Sequence, residues 1–339
     1  MRFKLSIFRV HLFLKSLLTI TTLLLILLAI TGQIVRDRTV EWGLLMYIPL
    51  LPLGLWTILL DLGQAGRALP RPRFGLTLIG LSLATWGSLS MIGIKTPQVD
   101  SEPTSKITFL HWNVRWGGKG KGSWDIIRQD ITQRHPDIMV LSETPSKFQL
   151  NQLVKSMGPQ WNMIMYEETQ SNPLAVCSSG PLQFEQIVKI RNGVAMTVVA
   201  TLQNQSLRVL AVDGNRNMST RLVVMSKQVL PRWRIPMLND IVQFLITSHN
   251  NGQPVDIIAG DFNAISHSLG FDAFAHASGG YHLASQFSHH WRGTWKSYLP
   301  LYDLDHIWLH KRFQIVGAKL FTNLVSDHRG QLVQFAWSS

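Results

Sequence analysis

Val255-Asp256-Ile257-Ile258-Ala259-Gly260-Asp261-Phe262-Asn263 is the stretch on which the fold turns. Its first half is apolar and rich in β-branched residues, the composition of a strand buried on both faces, and it turns polar within two residues. A buried strand is a rigid mount, so a carboxylate at its end is held in place while still reaching a cleft. The same switch from apolar run to polar cluster recurs at Asn113, at Glu143, at Asp305-His306 and at Ser326-Asp327-His328. Taken singly, Asp-Phe-Asn or Ser-Asp-His reads as a turn or an Asx motif leaving a strand. The ordered set of five points elsewhere. Acidic and amide oxygens from separate strand ends suit a hard cation such as Mg²⁺, and a carboxylate together with a carboxylate-paired His suits the activation and steering of water at a phosphoester.

Outward from this stretch the chain alternates between strand-like and helix-like segments. Strands are expected at 107–114, 138–141, 174–177, 194–202, 207–212, 255–259, 304–309, 314–320 and 331–337. Trp124, Ile127 and Ile131 recur at helical spacing behind Ser123, which reads as their N-cap, and Leu238, Ile241, Val242 and Leu245 mark an amphipathic helix before Gly252. Many strands with few helices between them predict two packed sheets flanked by helices, an α/β sandwich rather than a doubly wound parallel sheet.

The first hundred residues are a different material. Segments 16–35, 42–60 and 74–94 contain no charged residue, and each approaches the roughly 20 apolar residues that cross a bilayer core as helix. They predict a membrane anchor of three transmembrane helices over 1–95, a Pro-containing polar linker over 96–106, and a separate domain over 107–339. The first apolar run is longer than the core of a cleaved signal peptide. Pro49 and Pro52 interrupt the second. Arg2, Lys4, Arg9, Lys15, Arg67, Arg71 and Arg73 fall on one side of these spans, and Arg36, Arg38 and Lys95 on the other. The positive-inside rule then predicts a multi-pass protein of the cell membrane whose main domain is extracytoplasmic, periplasmic or extracellular. Spans without charges argue against transport through the anchor.

Of the 32 Lys/Arg and 20 Asp/Glu in the chain, residues 1–103 hold ten and five, leaving 22 and 15 to the rest. That excess favours anionic partners, among them phosphorylated lipids, the membrane surface and nucleic acid. Cys177 is the only cysteine, which excludes an internal disulfide. Between Arg216 and Arg234, basic residues interleave with Met218, Val223, Val224, Leu230 and Trp233; the pattern reads either as a helix with a solvated basic face or as a surface for anionic headgroups.

The motifs His-Trp-Asn-Val (111–114), Pro-Asp-Ile-Met-Val-Leu-Ser-Glu (136–143), Ala-Gly-Asp-Phe-Asn (259–263), Leu-Asp-His-Ile (304–307) and Ser-Asp-His (326–328) resemble those of the endonuclease/exonuclease/phosphatase superfamily. Thr294-Trp295 and the apolar N-terminal region resemble its bacterial membrane-anchored branch. The resemblance implies a DNase I-like four-layer α/β sandwich and a metal-dependent phosphoester hydrolase of the phosphodiesterase, phosphatase or nuclease class, with Mg²⁺, or Mn²⁺ in its place, as cofactor. Position by position, it implies Glu143 as principal metal ligand with Asn113 beside it and Asp327 completing the metal side. Asp261 would orient or deprotonate the attacking water, Asn263 would donate to phosphoryl oxygens, and Asp305 would pair with a protonated His328.

One departure stands out: the family usually has a His where Asp213 ends the strand 208–212. Three readings follow, namely a second cation at Asp213, a phosphate contact taken over by Arg216 or Arg221, and a binding protein that lost the chemistry. His306 is expected to pack beside Asp305 rather than touch substrate, Trp291 and Trp295 to stand at a cleft rim, and His289 and His290 to be loop residues. The substrate expected at an outer membrane surface is a phospholipid or isoprenoid pyrophosphate, with DNA as the rival.

Overall fold

The computed structural model describes residues 2–63, 74–97, 105–167, 173–214 and 234–338, with side chains from Phe13 onward. Arg67, Arg71 and Arg73, linker residues 98–104 and the basic stretch 216–233 lie outside the described residues. The chain divides into two compact units, Met1–Met91 and Ile92–Ser339.

In the first unit, Phe13–Val35 of the helix Arg2–Val35 (α1) spans 23 residues and, among the described residues, is the single unbroken helix long and apolar enough to cross a membrane. The expected second span is instead two helices, Val40–Met46 (α2) and Leu50–Leu62 (α3), bent by 58°. Proline explains the break. Pro49 is the N-cap of α3 and Pro52 sits in its first turn, positions where a missing N–H costs nothing, whereas either would disrupt a helix continuing from α2. The third expected span shortens to Gly75–Met91 (α4), 17 residues. Glycines let α3 and α4 touch backbone to backbone, since a Cβ on Gly54 would lie 2.5 Å from the Gly80 carbonyl oxygen. The three-span anchor thus becomes one full-length candidate span, a bent pair and a short apolar helix.

The second unit takes in Ile92–Lys95, expected at the end of the membrane anchor. Ile92 bridges to Trp291, the Gly93 N–H donates to the His290 carbonyl (3.1 Å) and the Lys95 N–H to that of Gln286 (2.9 Å). Its strands are Ile107–Asn113 (β1), Ile138–Ser142 (β2), Asn162–Tyr166 (β3), Leu174–Ser178 (β4), Leu182–Val188 (β5), Gly193–Leu202 (β6), Gln205–Gly214 (β7), Ile257–Asp261 (β8), Tyr281–Leu283 (β9), Asp305–His310 (β10), Phe313–Phe321 (β11) and Gly330–Trp337 (β12). They form two sheets ordered β11-β12-β1-β2-β4-β3 and β5-β6-β7-β8-β10-β9. The pairs β1/β2 and β7/β8 are parallel and their neighbours antiparallel, so both sheets are mixed.

The sheets face each other across a core containing Phe109, Val140, Val176, Val209, Ile257, Ile307 and Phe335. Outside the first sheet, Ser123–Gln133 (α5) and Lys147–Met157 (α6) cover a layer with Trp112, Ile127, Met139 and Leu150. Arg234–Asn250 (α7) and the turn Leu269–Ala275 cover the second through Leu238, Ile241, Phe262 and Trp308. This is the expected four-layer sandwich. Two local readings are corrected. Gly122, at φ 79°, takes the N-cap of α5 and Ser123 becomes its first helical residue, its hydroxyl turned back to the Lys119 carbonyl. Arg234, read as part of a solvated or lipid-facing basic stretch, is buried at the start of α7.

Candidate catalytic site

Side chains alternate along a strand, so every second residue of the central strands points between the sheets. On β1 that row is Ile107, Phe109, His111, Asn113; on β7, Leu207, Val209, Ala211, Asp213; on β8, Ile257, Ala259, Asp261; and on β10, read backwards, Leu309, Ile307, Asp305. Each row is apolar core that turns polar at the same end. Register brings the ends together, because Asp213 pairs with Asp261 across β7/β8 and Asp261 with Asp305 across β8/β10. Asn113 pairs with Ser142 on β2, one residue before Glu143. Asn113, Glu143, Asp213, Asp261, Asn263, Asp305 and His328 are all buried.

Asp261 uses both oxygens. Oδ1 accepts from the Asn263 N–H (2.8 Å), the Asx turn expected on local grounds, and Oδ2 accepts from Asn113 Nδ2 (2.9 Å). His328 Nε2 stands 3.9 Å from Asp261 Oδ2, too far for a direct hydrogen bond, so both groups can serve a third between them. On its other side His328 Nδ1 lies 2.8 Å from Asp305 Oδ2. Asp305 is held on every polar atom: its Oδ1 is 3.1 Å from His111 Nε2, its N–H donates to Thr294 Oγ1 (3.2 Å), and its carbonyl accepts from Gln331 Nε2.

Burial pushes the Asp261 carboxyl above its ordinary range and the Asp305 charge adds to this, against the opposing pull of His328, Asn113 and Asn263. Burial acts the same way on Asp305, but the His328 charge and hydrogen bonds from both histidines overcome it and hold Asp305 below the usual carboxylate range. For His328, burial opposes the cation, yet the charge and hydrogen bond of Asp305, with Asp261 and Asp327, lift it to about 10. Near neutrality the arrangement is therefore an ionised Asp305, a protonated His328 and a carboxyl at Asp261 that takes up a proton readily. Asp261, Asp305 and His328 offer ligand atoms within 4.8 Å of one another, a spacing that would hold a metal ion. With Nδ1 bonded to Asp305, His328 presents Nε2 toward Asp261, so the trio is equally suited to handling protons.

Of the residues expected on the metal side, Asn113 bonds Asp261 and the charge of Asp327 acts on His328. Glu143, at φ 49°, leaves β2 in a left-handed conformation that a non-glycine residue seldom adopts, and its carbonyl accepts the Trp116 N–H. Asn113 Oδ1 accepts the Arg115 N–H (3.0 Å). Asp327 Oδ1 is buried with no hydrogen bond, 3.6 Å from Arg115 Nε. Carboxylate and amide oxygens, one of them lacking a donor, are a donor set that fits a hard divalent cation.

The structure places other expected residues differently. The Asn263 side chain donates to the Gly214 carbonyl (2.5 Å), and Arg234 Nε donates to the Asn263 carbonyl (3.1 Å). Arg216 and Arg221 lie outside the described residues; among the described residues, Arg234 lies beside Asn263. His306 faces the outer layer, with Nε2 on the Ala264 carbonyl (2.7 Å) and its ring against Phe271, as expected of a packing residue. Trp295 bridges to His328 and its ring lies beside Tyr302. Sequence reading missed His111, Thr294 and Gln331 as partners of Asp305; the signal available was the period-two row on β1, in which His111 already departs from the apolar pattern.

The family model described as Endonuclease/Exonuclease/phosphatase family matches residues 110–328, from the core of β1 through His328. The chain belongs to this family. Its second unit is accordingly placed among phosphoester hydrolases. Similar solved structures include the human Nocturnin catalytic domain with bound sulfate anion (20% identity, 72% of this chain and 100% of that one, TM-score 0.52). An endonuclease/exonuclease/phosphatase from Beutenbergia cavernae DSM 12333 shares 15% identity over 69% of this chain and 72% of its own, with a TM-score of 0.54. D. rerio TDP2 complexed with single strand DNA product shares 15% over 68% and 99%, with a TM-score of 0.50. At these identities the likeness is one of fold. No curated protein matches the chain in sequence.

Proposed function

We propose that the chain is a membrane-anchored, divalent-metal-dependent hydrolase that cleaves a phosphoester by in-line attack of water. The observation that carries this reading is the 3.9 Å gap between Asp261 and a His328 kept protonated by Asp305. Asp261 accepts the proton of the attacking water, for which a carboxyl lifted by burial is suited. His328 donates to a phosphoryl oxygen on which charge builds, and Asp305 keeps its ring oriented. Asn113 fixes Asp261 through Oδ2 and offers its amide oxygen to the metal side. Glu143, Asn113 and Asp327 would hold the ion, Mg²⁺ or Mn²⁺, which when bound supplies Lewis-acid polarisation of the phosphoryl oxygen and neutralises the leaving oxygen. Asn263 and Asp213, the latter at the position of the family's His, stand at the phosphate end, to which buried Arg234 brings positive charge.

Phe13–Val35 supports anchoring to a lipid bilayer. If the bent pair and α4 are two further crossings, the basic flanks favour the extracytoplasmic face for the catalytic unit, where a phospholipid or isoprenoid pyrophosphate is the substrate class in reach. Reporters fused after Ser339 test the topology: phosphatase activity without cytoplasmic fluorescence is expected, and the reverse contradicts it. Nucleic acid is the second reading, supported by the excess of 22 Lys/Arg over 15 Asp/Glu in residues 104–339 and by the DNA product bound to the D. rerio neighbour. The deciding assay is full-length chain in detergent with bis(p-nitrophenyl) phosphate, p-nitrophenyl phosphate, a phospholipid and plasmid DNA, with Mg²⁺, Mn²⁺ or EDTA. Metal-dependent turnover abolished by Glu143→Ala is expected. Turnover equal in Glu143→Ala removes the metal assignment, and no turnover on any substrate points to a binding protein.

A further inference from the structure

His111 sits where an apolar residue would continue the inner row of β1, and placing a ring with two polar nitrogens there costs free energy unless both are bonded. Both are. Nδ1 lies 3.1 Å from the Val140 carbonyl on β2, its register partner in the same sheet, and Nε2 lies 3.1 Å from Asp305 Oδ1 on the opposite sheet. Nε2 faces the Asp305 carboxylate across the core, and the Nδ1 contact with the Val140 carbonyl holds the ring plane against β2. Asp305 therefore carries an imidazole on each oxygen, His111 on Oδ1 and His328 on Oδ2.

The second contact matters because the terminal torsion of an Asp side chain is broad and roughly two-fold, so one hydrogen bond leaves the carboxylate room to swing. Rotation of Asp305 would turn the His328 ring that it orients and shift Nε2 relative to Asp261. A bond to Oδ1 from a ring locked to the other sheet removes that freedom. We propose that His111 is a positioning residue that clamps Asp305 between the two sheets and thereby aims His328 Nε2 at the reaction site. This rests on the assignment of Asp305 and His328 above, and it adds a residue without contact to substrate or metal.

The test uses the full-length chain in detergent with a metal-activated phosphodiester and compares His111→Asn with His111→Gln. Asn keeps a donor near Nδ1 for Val140 but cannot reach Asp305, while Gln carries its amide to about where Nε2 stands. His111→Asn is expected to lower kcat by about 10–100-fold with KM little changed, the usual cost of losing an orienting partner, and His111→Gln to recover about tenfold. In ¹⁵N-histidine spectra the His328 Nδ1–H resonance is expected to move in His111→Asn and to return toward the wild-type position in His111→Gln. Equal losses in both variants with an unmoved resonance would reduce His111 to core filling, and wild-type kcat in His111→Asn would overturn the clamp. If the wild type turns over no phosphoester, the functional reading fails, and the resonance comparison still decides the clamp.

Discussion

Strand β8 has a buried carboxylate near each end, and the two are matched by different cations. Asp256, just before the strand, accepts the Arg208 N–H (2.8 Å) and pairs with Arg312, while Arg208 reaches Glu185 (2.6 Å) and the Gln253 carbonyl. Asp261, at the other end, faces His328, with Asp305 and His111 behind it. Guanidinium never gives up its proton under ordinary conditions, so the Asp256 cluster is a fixed fastening of β7, β8 and the turn after β10. Imidazole exchanges a proton readily, and the 3.9 Å gap keeps that end open to a third group. One end of the sandwich is therefore fastened by fixed charges, and the other is the end where we propose the chemistry takes place.

Substitutions should separate the two. The largest expected effect is on rate: His328→Ala lowers kcat by about 10²–10⁴-fold, measured by steady-state phosphodiester hydrolysis, as expected when a proton-transfer or charge-stabilising group is removed. Because removing His328 also leaves the buried Asp305 carboxylate without its cation, kcat is compared under conditions where the variant remains folded. Next comes Asp256→Ala, which removes the acceptor of the Arg208 N–H and the partner of Arg312 and should cost about 1–3 kcal/mol in chemical denaturation, with kcat changed less than threefold. A drop in kcat as large as that of His328→Ala would erase the contrast between the ends. Smallest is Glu185→Gln, at a half-exposed strand of the sheet edge, expected at about 0.2–1 kcal/mol or less.

The fixed end also makes a pH prediction. Burial lifts Asp256 to about 6 from 3.8, outweighing the backbone hydrogen bond and the two arginines. The folded state then binds this proton more tightly than the unfolded chain, so its contribution to stability is largest below the unfolded value near 4 and is lost as pH rises through about 6. Denaturation midpoints between pH 4 and 7 should show this fall in the wild type and a flatter profile in Asp256→Asn. A wild-type profile that rises over the same interval would reverse the assignment.

Legibility in the sequence followed hydrophobic contrast. The rows ending at Asp261, Asp305 and Asn113 were readable because apolar runs stop abruptly at acids or amides. The edge strand β5 was not, since Gln183, Glu185 and Gln186 give it no apolar face over most of its length. Helix α6 carried its signals, Ser146 accepting from the Gln149 N–H and Leu150, Leu153 and Val154 buried, yet they are short-range and weak. Pro49 and Pro52 foretold the break in the second apolar segment, whose lack of charge masked it. His111 escaped because a lone histidine on a strand reads as core, and its role depends on a partner 194 residues away. Arg234 escaped because its basic neighbours suggested solvent, whereas the first turn of α7 buries it.

The central claim is that chemistry resides at the Asp261 end of β8 and not at the Asp256 end. Its most direct test is the ratio of kcat for phosphodiester hydrolysis between Asp261→Asn and Asp256→Asn, in full-length chain under conditions where both remain folded. A ratio of about 10⁻² or lower is expected from loss of the water-activating carboxylate. A ratio near one would contradict the account.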